Sequence, residues 1–520
     1  MSELTKRRSM TADAGSSTPH ENPALNDATA LSAEILTPAE LAAIGATMRQ
    51  APATSLAPAE SRRARPASRQ APRSSSHACR VLFAPETINI AEVTRGIEVA
   101  KRMPEGVDCV FTGFSPRNRD LIEEAGFEFI LQEPLLTDEQ ARQALDFDQG
   151  RGHRHPFTRA MLSQRVASER ELIRRLCASA VVVGVTPSQF ISARAESVPL
   201  VFVRPFAYSL PHVSIARSYG TTAFLPRTTR RQRVIDRAAA GVFHTVASRV
   251  PLPRPFYQVA ADHGVDLARN VAGALTADLN LIASAPHLLP QHVEMPAGHR
   301  VVGPIYAHLP GPVPPLVARL AEGDQPVVYF AIGSSGNRDL ALSVLRGLGH
   351  APCQVVAPVR SYLHEEDLAG LPANVHVTDW LPADRLGGAI DLAITHGGEG
   401  TVQTSCTQGW PFIGIPLQFE QRFNVQRCVA FGSARLLPQK QASSTDWAAL
   451  VRQALADEEM RAKAAQMADL MRSLDGPGQA AQAIMELLEG PGVPTSLAGA
   501  LPAGASAAPS PGCERTLALA

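Results

Sequence analysis

The feature that most constrains this chain is a short run near residue 400. Leu392–Thr395 is an apolar strand, and it leads straight into His396, Gly397, Gly398, Glu399, Gly400 and Thr401. A helical pattern follows to Gly409. Then comes a second apolar strand, residues 412–416, ending in Gln418, Glu420, Gln421 and Asn424. Strand, glycine-rich turn, helix and strand make a βαβ unit. The turn sets bare backbone N–H groups at a helix N-terminus, where an anion is stabilised. Glycine lets the backbone approach a phosphate with no Cβ in the way. The polar residues fall at strand ends, where open α/β sheets bind ligands. The segment therefore points to a nucleoside diphosphate held by backbone. The alternative is a tight βα turn that binds nothing.

The rest of the chain repeats the alternation. Strands are expected at residues 80–83, 108–111, 127–131, 180–185, 200–203 and 279–283, with helices at 91–103, 118–125, 138–145 and 157–178. The pattern restarts with strands at 326–332, 354–359 and 375–377, and helices at 446–456, 458–473 and 478–488 close it. Alternating β and α elements imply mostly parallel sheets with helices on both faces. Residues 77–305 read as one Rossmann-like domain and 326–490 as a second, joined by a proline-rich linker at 306–325. The 1–76 arm, rich in Ala, Ser, Pro and Arg, and the 491–520 tail read as disordered, because such composition buries too little apolar surface.

Composition excludes some classes. With 49 basic and 49 acidic residues in 520, the formal charge is zero, so nothing argues for a nucleic-acid partner. The seven cysteines form no C-x-x-C pair and no zinc-ligand spacing with histidine. No apolar run is long enough to span a bilayer, and no apolar core follows Lys6, Arg7 and Arg8 as in a secretory signal. A cytoplasmic protein is expected.

The run around His396 belongs to a longer composite: Trp380-Leu381-Pro382, then Thr395 to Thr401, then Pro416 with Glu420, Gln421 and Asn424. This composite resembles the donor-sugar signature of the GT-B glycosyltransferases related to the UDP-glycosyltransferase family, bacterial UDP-glucosyl- and glucuronosyltransferases among them. The resemblance implies an α/β fold of GT-B architecture, in which two Rossmann-like domains with mostly parallel sheets face a central cleft. It implies an inverting, metal-independent transfer of a hexose from a nucleotide diphosphate sugar, most simply a UDP-sugar, to a hydroxyl of a hydrophobic small-molecule or lipid acceptor. The nucleotide sugar is a co-substrate, and no cofactor is implied. A lipid acceptor would bring peripheral contact with a membrane face.

By the same resemblance Trp380 stacks on the nucleobase and the Leu381 backbone bonds its edge. His396 gives an N–H to phosphate, and Gly397, Gly398, Gly400 and Thr401 offer backbone and hydroxyl donors. Ser334 and Ser335, at the end of the strand 326–332, reach the diphosphate. Glu420 and Gln421 bond the sugar hydroxyls. No metal site is implied; the lone Asp-x-Asp, Asp146-Phe147-Asp148, reads as a helix terminus.

Three departures stand out. Relatives often carry a general-base histidine after the first strand, followed by Val-Thr-Arg. Here Val93-Thr94-Arg95 is present, but the histidine position holds Glu92. A desolvated carboxylate can serve as a base. Equally, Glu92 can support the first helix turn and pair with Arg95. Thr404 stands where a ribose-binding glutamate is common, and Ala383 where a glutamine is. The basic segment with Arg151, His153, Arg154, His155 and Arg159, and the cluster Arg227, Arg230, Arg231 and Arg233, read as acceptor-cleft walls or as solvated faces. A nucleotide-sugar epimerase of the same fold, or a non-catalytic nucleotide-sugar-binding relative, remains open at this point.

Overall fold

The computed structural model describes residues 79–490, apart from 149–151, 153–154, 210, 212–248, 291–292, 294, 309–311 and 380, and all of these fall within one unit, Arg62–Ala520. The expected 1–76 arm and 491–520 tail lie outside the described residues.

Seven strands form the first sheet: β1 (Cys79–Ala84), β2 (Val107–Gly113), β3 (Glu128–Leu131), β4 (Ala180–Val183), β5 (Leu200–Arg204), β6 (Leu279–Ile282) and β7 (His299–Val301). Six form the second: β8 (Val327–Ala331), β9 (Gln354–Ala357), β10 (Val375–Val377), β11 (Leu392–Thr395), β12 (Phe412–Gly414) and β13 (Ala434–Leu436). The orders are β3-β2-β1-β4-β5-β6-β7 and β10-β9-β8-β11-β12-β13. Every pairing is parallel. Fully buried runs such as AVVV in β4 and VVYFA in β8 are what strands covered on both faces require.

Alternation along β1 divides the first core. Leu82 and Ala84 join one hydrophobic cluster, while Val81 and Phe83 join another on the opposite face. In β8, Val328 and Phe330 likewise part from Val327 and Tyr329. Both sheets reverse direction of growth at one point, between β1 and β4 and between β8 and β11. Open α/β sheets place ligands outside the carboxyl ends of the strands there.

Five helices bear on the site: α1 (Ile90–Ala100), α2 (Arg159–Leu176), α3 (Glu399–Gln408), α4 (Phe419–Phe431) and α5 (Gly476–Glu489). The packing departs from the linear reading in three places. Helix α5 sends Ala480, Ala483 and Ile484 into the cluster of Val81 and Phe83, so it packs on the first sheet although it follows the second in sequence. The stretch expected as linker contains a helix, Pro315–Ala321, with proline in its first turn and Val317 fully buried in the second core. Strand β13, three residues with only its first fully buried, carries no apolar run that would announce it. Among the described residues no helix is long and apolar enough to cross a membrane.

Candidate active site

Glu92 sits in the first turn of α1, which Asn89 caps through a 3.1 Å bond from the Ala91 N–H to Oδ1. Its side chain turns in to the β1–β4 switch point. Oε2 accepts the N–H of Val185 at 2.9 Å and of Glu86 at 3.0 Å. The residue is 7% exposed. Burial pushes its carboxyl up to about 7, against the pull of those two N–H groups. Glu92 does not pair with Arg95, as one reading of the sequence had it; the backbone donors take that place.

The carboxylate lines a cavity of about 220 Å³ walled by Ile88, Leu145, Phe147, Phe157, Leu252 and Phe256, with His155 and Glu86 as further polar members. His155 lies edge-on to Phe157 and Phe256. Burial, then the nearby Arg165 charge, holds it down to about 4, so it is neutral. The segment read as basic is thus apolar at this point, and Arg159 pairs outward with Asp262 at 2.8 Å. Arg151, His153, Arg154 and the 227–233 cluster lie outside the described residues. Asp146 and Phe147 lie at the end of the helix Asp138–Asp148, as expected.

Gly184 makes room for the Glu92 carboxylate. A Cβ there would stand 1.8 Å from Glu92 Oε2, which two backbone donors pin in place. Gly184→Ala is expected to displace the carboxylate and cut turnover by about tenfold or more. Nucleotide binding should stay unchanged, and steady-state kinetics beside a binding titration check both.

At the second switch point His396 follows β11 directly. It is buried, its N–H donates to the Ala331 carbonyl at 3.3 Å, and burial holds the ring down to about 4. Nδ1 has no partner. The ring lies between two glycines: a Cβ on Gly333 would come 2.5 Å from its Cε1, and one on Gly398 2.4 Å from its Nε2. Gly397 has φ +86°, and a Cβ there would meet Val425 at 2.5 Å, so the turn admits glycine alone. At Gly400 a Cβ would meet nothing within 4 Å, so the helix start is open on that side. Thr401, half-buried, follows in the first turn of α3.

The residues after β12 tie back to this turn. Asn424 Nδ2 donates to the Gly397 carbonyl at 3.1 Å and also bonds Glu420. Gln421 accepts the Leu417 N–H at 2.9 Å and donates to Ser335 Oγ at 2.9 Å. Burial, then the Glu399 charge, raises the Glu420 carboxyl to about 8. At neutral pH it is protonated and can donate to a ligand oxygen. Ser334 is in the short turn Gly333–Ser335. Leu381 packs in the second core, and its carbonyl accepts the Ala383 N–H at 2.8 Å. Trp380 lies outside the described residues.

The two halves touch. Arg95, one turn along α1 from Glu92, bonds Glu399 Oε2 at 3.0 Å through Nη2. Ser284, just past β6, donates to Glu399 Oε1 at 3.0 Å. Gln403 of α3 donates to the Ala283 carbonyl at 2.6 Å. Sequence reasoning missed Glu399 and Ser284. A charged residue inside a glycine turn was the available signal for the first, and none existed for the second.

Comparison with known proteins decides what carries this arrangement. The Erythromycin biosynthesis protein CIII-like C-terminal domain matches residues 343–487. A PGL/p-HBAD biosynthesis glycosyltransferase of Mycobacterium tuberculosis is 26% identical over 403 residues, 75% of this chain and 88% of the relative. A PGL/p-HBAD biosynthesis rhamnosyltransferase of Mycobacterium bovis is 26% identical over 400 residues, 75% and 84% of the two chains. Among solved structures, the glycosyltransferase VinC in complex with DTDP superposes with a TM-score of 0.56 at 16% identity, covering 79% of this chain and 99% of its own. The chain is a GT-B glycosyltransferase. In its second half it is UDP-glycosyltransferase-like, as the signature around His396 implied. The Arg95–Glu399 pair joins the half built on the first sheet to the half built on the second.

Proposed function

We propose that this glycosyltransferase moves a hexose from a nucleoside diphosphate sugar to a hydroxyl of a hydrophobic acceptor, with inversion and without a metal. The observation that carries the reading is Glu92. A carboxylate raised to about 7 lines an apolar cavity, one helical turn from a residue bonded to the glycine-rich helix start. In the proposed step Glu92 takes the proton of the acceptor hydroxyl, and the oxygen attacks C1 of the sugar as the bond to the diphosphate breaks. The cavity's apolar wall suits a hydrophobic small molecule or the head of a lipid. A cationic acceptor would gain nothing from neutral His155.

The leaving diphosphate gains negative charge. The N–H groups of α3, its dipole and a neutral His396 N–H are the groups proposed to stabilise it. Glu420 and Gln421 are proposed to hold the sugar, and Ser334, Ser335, Thr401 and the base-stacking Trp380 to complete the donor site. The resemblance favours uridine as the base. The DTDP bound by VinC makes thymidine the alternative.

A thermal-shift panel of nucleoside diphosphates and their sugars, run with a chelator present, tests the donor half. One diphosphate is expected to raise the wild-type melting temperature, as a native-state ligand does by mass action. His396→Ala should lose the response. A panel that leaves the wild type unmoved would remove the donor reading at its strongest point.

A further inference from the structure

We propose that Arg95 is a donor-binding residue, delivered from the first half of the molecule to the diphosphate at the start of α3. The inference rests on reading that helix start as the diphosphate site.

Glu399 raises the question. It is the first residue of α3, and its side chain is 9% exposed. A carboxylate there suits the helix dipole, yet it occupies the end an anion would use and repels that anion. Its two oxygens are both engaged from the other side of the cleft: Oε2 by Arg95 Nη2 and Oε1 by Ser284 Oγ, each at 3.0 Å. Arg95 is therefore the cation that the ion pair brings to the glycine-rich turn.

The guanidinium is not exhausted by this bond. Arginine carries five N–H donors in a planar fork, matched to carboxylate and phosphate oxygens. Arg95 has a side chain as buried as that of Glu399, and its Nε has no partner. The His396 Nδ1 is a second buried polar atom without a partner at the same turn. Two orphaned groups from opposite halves thus flank one helix start, and a diphosphate has the oxygens to satisfy the guanidinium donors.

Stability alone does not explain the pair. Buried ion pairs are often no more stable than apolar residues of the same size, because both charges lose their hydration. A latch between the halves had cheaper solutions. A charge needed for an anionic ligand has none: Glu399 holds the guanidinium at the turn, and the diphosphate uses its remaining donors. The same residue then follows Glu92 by one turn on α1, so base and leaving group are set by a single rigid element.

The test is calorimetric titration of the full chain with UDP and dTDP, and with uridine and thymidine as phosphate-free controls. Arg95→Gln should weaken diphosphate binding by about ten- to a hundredfold, the worth of a charged hydrogen bond. Binding of the nucleoside should not change. Arg95→Lys should recover part of the loss. The glutamine amide keeps an oxygen for Arg95 Nη2 and loses only the repelling charge, so Glu399→Gln should bind the diphosphate as tightly as wild type or tighter. Opposite signs for the two variants support the proposal, and Glu399→Gln alone tests it where Arg95→Gln fails to fold. Equal weakening by both makes the pair a latch and overturns it. Wild-type diphosphate binding that Arg95→Gln leaves untouched overturns the role of Arg95 alone. A wild type that binds neither nucleotide overturns the diphosphate site, and this inference with it.

Discussion

Glu92→Gln is expected to lower turnover by about 10²–10⁴-fold while nucleoside diphosphate affinity stays at the wild-type level. The amide keeps an oxygen for the Val185 and Glu86 N–H groups, so the local geometry survives the change. What it loses is the ability to take a proton. The pH profile carries the same signature. A base must be ionised, and burial has raised this carboxyl from 4.5 to about 7. Turnover should therefore fall about tenfold per unit as pH drops below 7, and level off above it. A histidine in this place ordinarily titrates near 6.5. The buried glutamate so reaches the working range of the residue it replaces. Turnover unchanged in Glu92→Gln at saturating acceptor would remove the base role.

The same shift has a cost in stability, with a definite sign. A carboxyl whose folded pKa is raised favours the fold while protonated. That contribution is whole below about 4.5, the unfolded value, and is lost as pH climbs through 7. The glutamine variant has no such titration. Its unfolding free energy should match wild type in acid and exceed it above pH 7 by on the order of 3 kcal/mol. The substitution expected to lower turnover is thus expected to stabilise the fold at high pH.

How much of this was legible in the sequence depends on how far a contact reaches. The strands were legible because parallel, doubly covered strands read as apolar runs, and AVVV in β4 or LAIT in β11 admits few other fates. The glycine turn was legible because each glycine answers a local steric demand, such as His396 lying against Gly333 and Gly398. Glu92 was legible as a departure: a carboxylate in the first turn of α1, where the resemblance implies histidine. Arg95 with Glu399 was not, since 304 residues separate two side chains that meet. Nor was the return of α5 to the first sheet. Its amphipathic pattern shows that it packs, not on what.

Arg165 shows the same limit most sharply, and it carries the largest stability effect expected of one side chain here. In sequence it is one more basic residue on a long amphipathic helix, where a solvated face is the natural reading. In the fold it is 0% exposed. Its guanidinium carbon lies 4.0 Å from the centre of the Phe114 ring and 4.4 Å from that of Phe157, the latter a wall of the cavity that Glu92 lines. Nη2 reaches Glu86 Oε2 at 3.2 Å. Burial raises the Glu86 carboxyl, and the Arg165 charge and hydrogen bond pull it back. Glu169, one turn on, is bonded by Ser188 and Ser192, and burial raises it to about 7 while Arg165 again opposes. One cation therefore serves two buried carboxyls and two aromatic faces. Arg165→Met keeps much of the stem and removes the charge. Breaking a buried pair from one side costs about 3–5 kcal/mol, because the other charge is left without hydration or partner. Chemical unfolding of the variant should lose about that much. Adding Glu86→Gln should recover a large part of it, since removing both charges is close to neutral. No recovery would mean that the ring stacking, not the ion pair, holds this wall. If the ion pair does hold it, the cavity beside Glu92 owes its shape to a charge outside its lining: Arg165 fixes Phe157 and Glu86, and Glu86 gives an N–H to Glu92 Oε2.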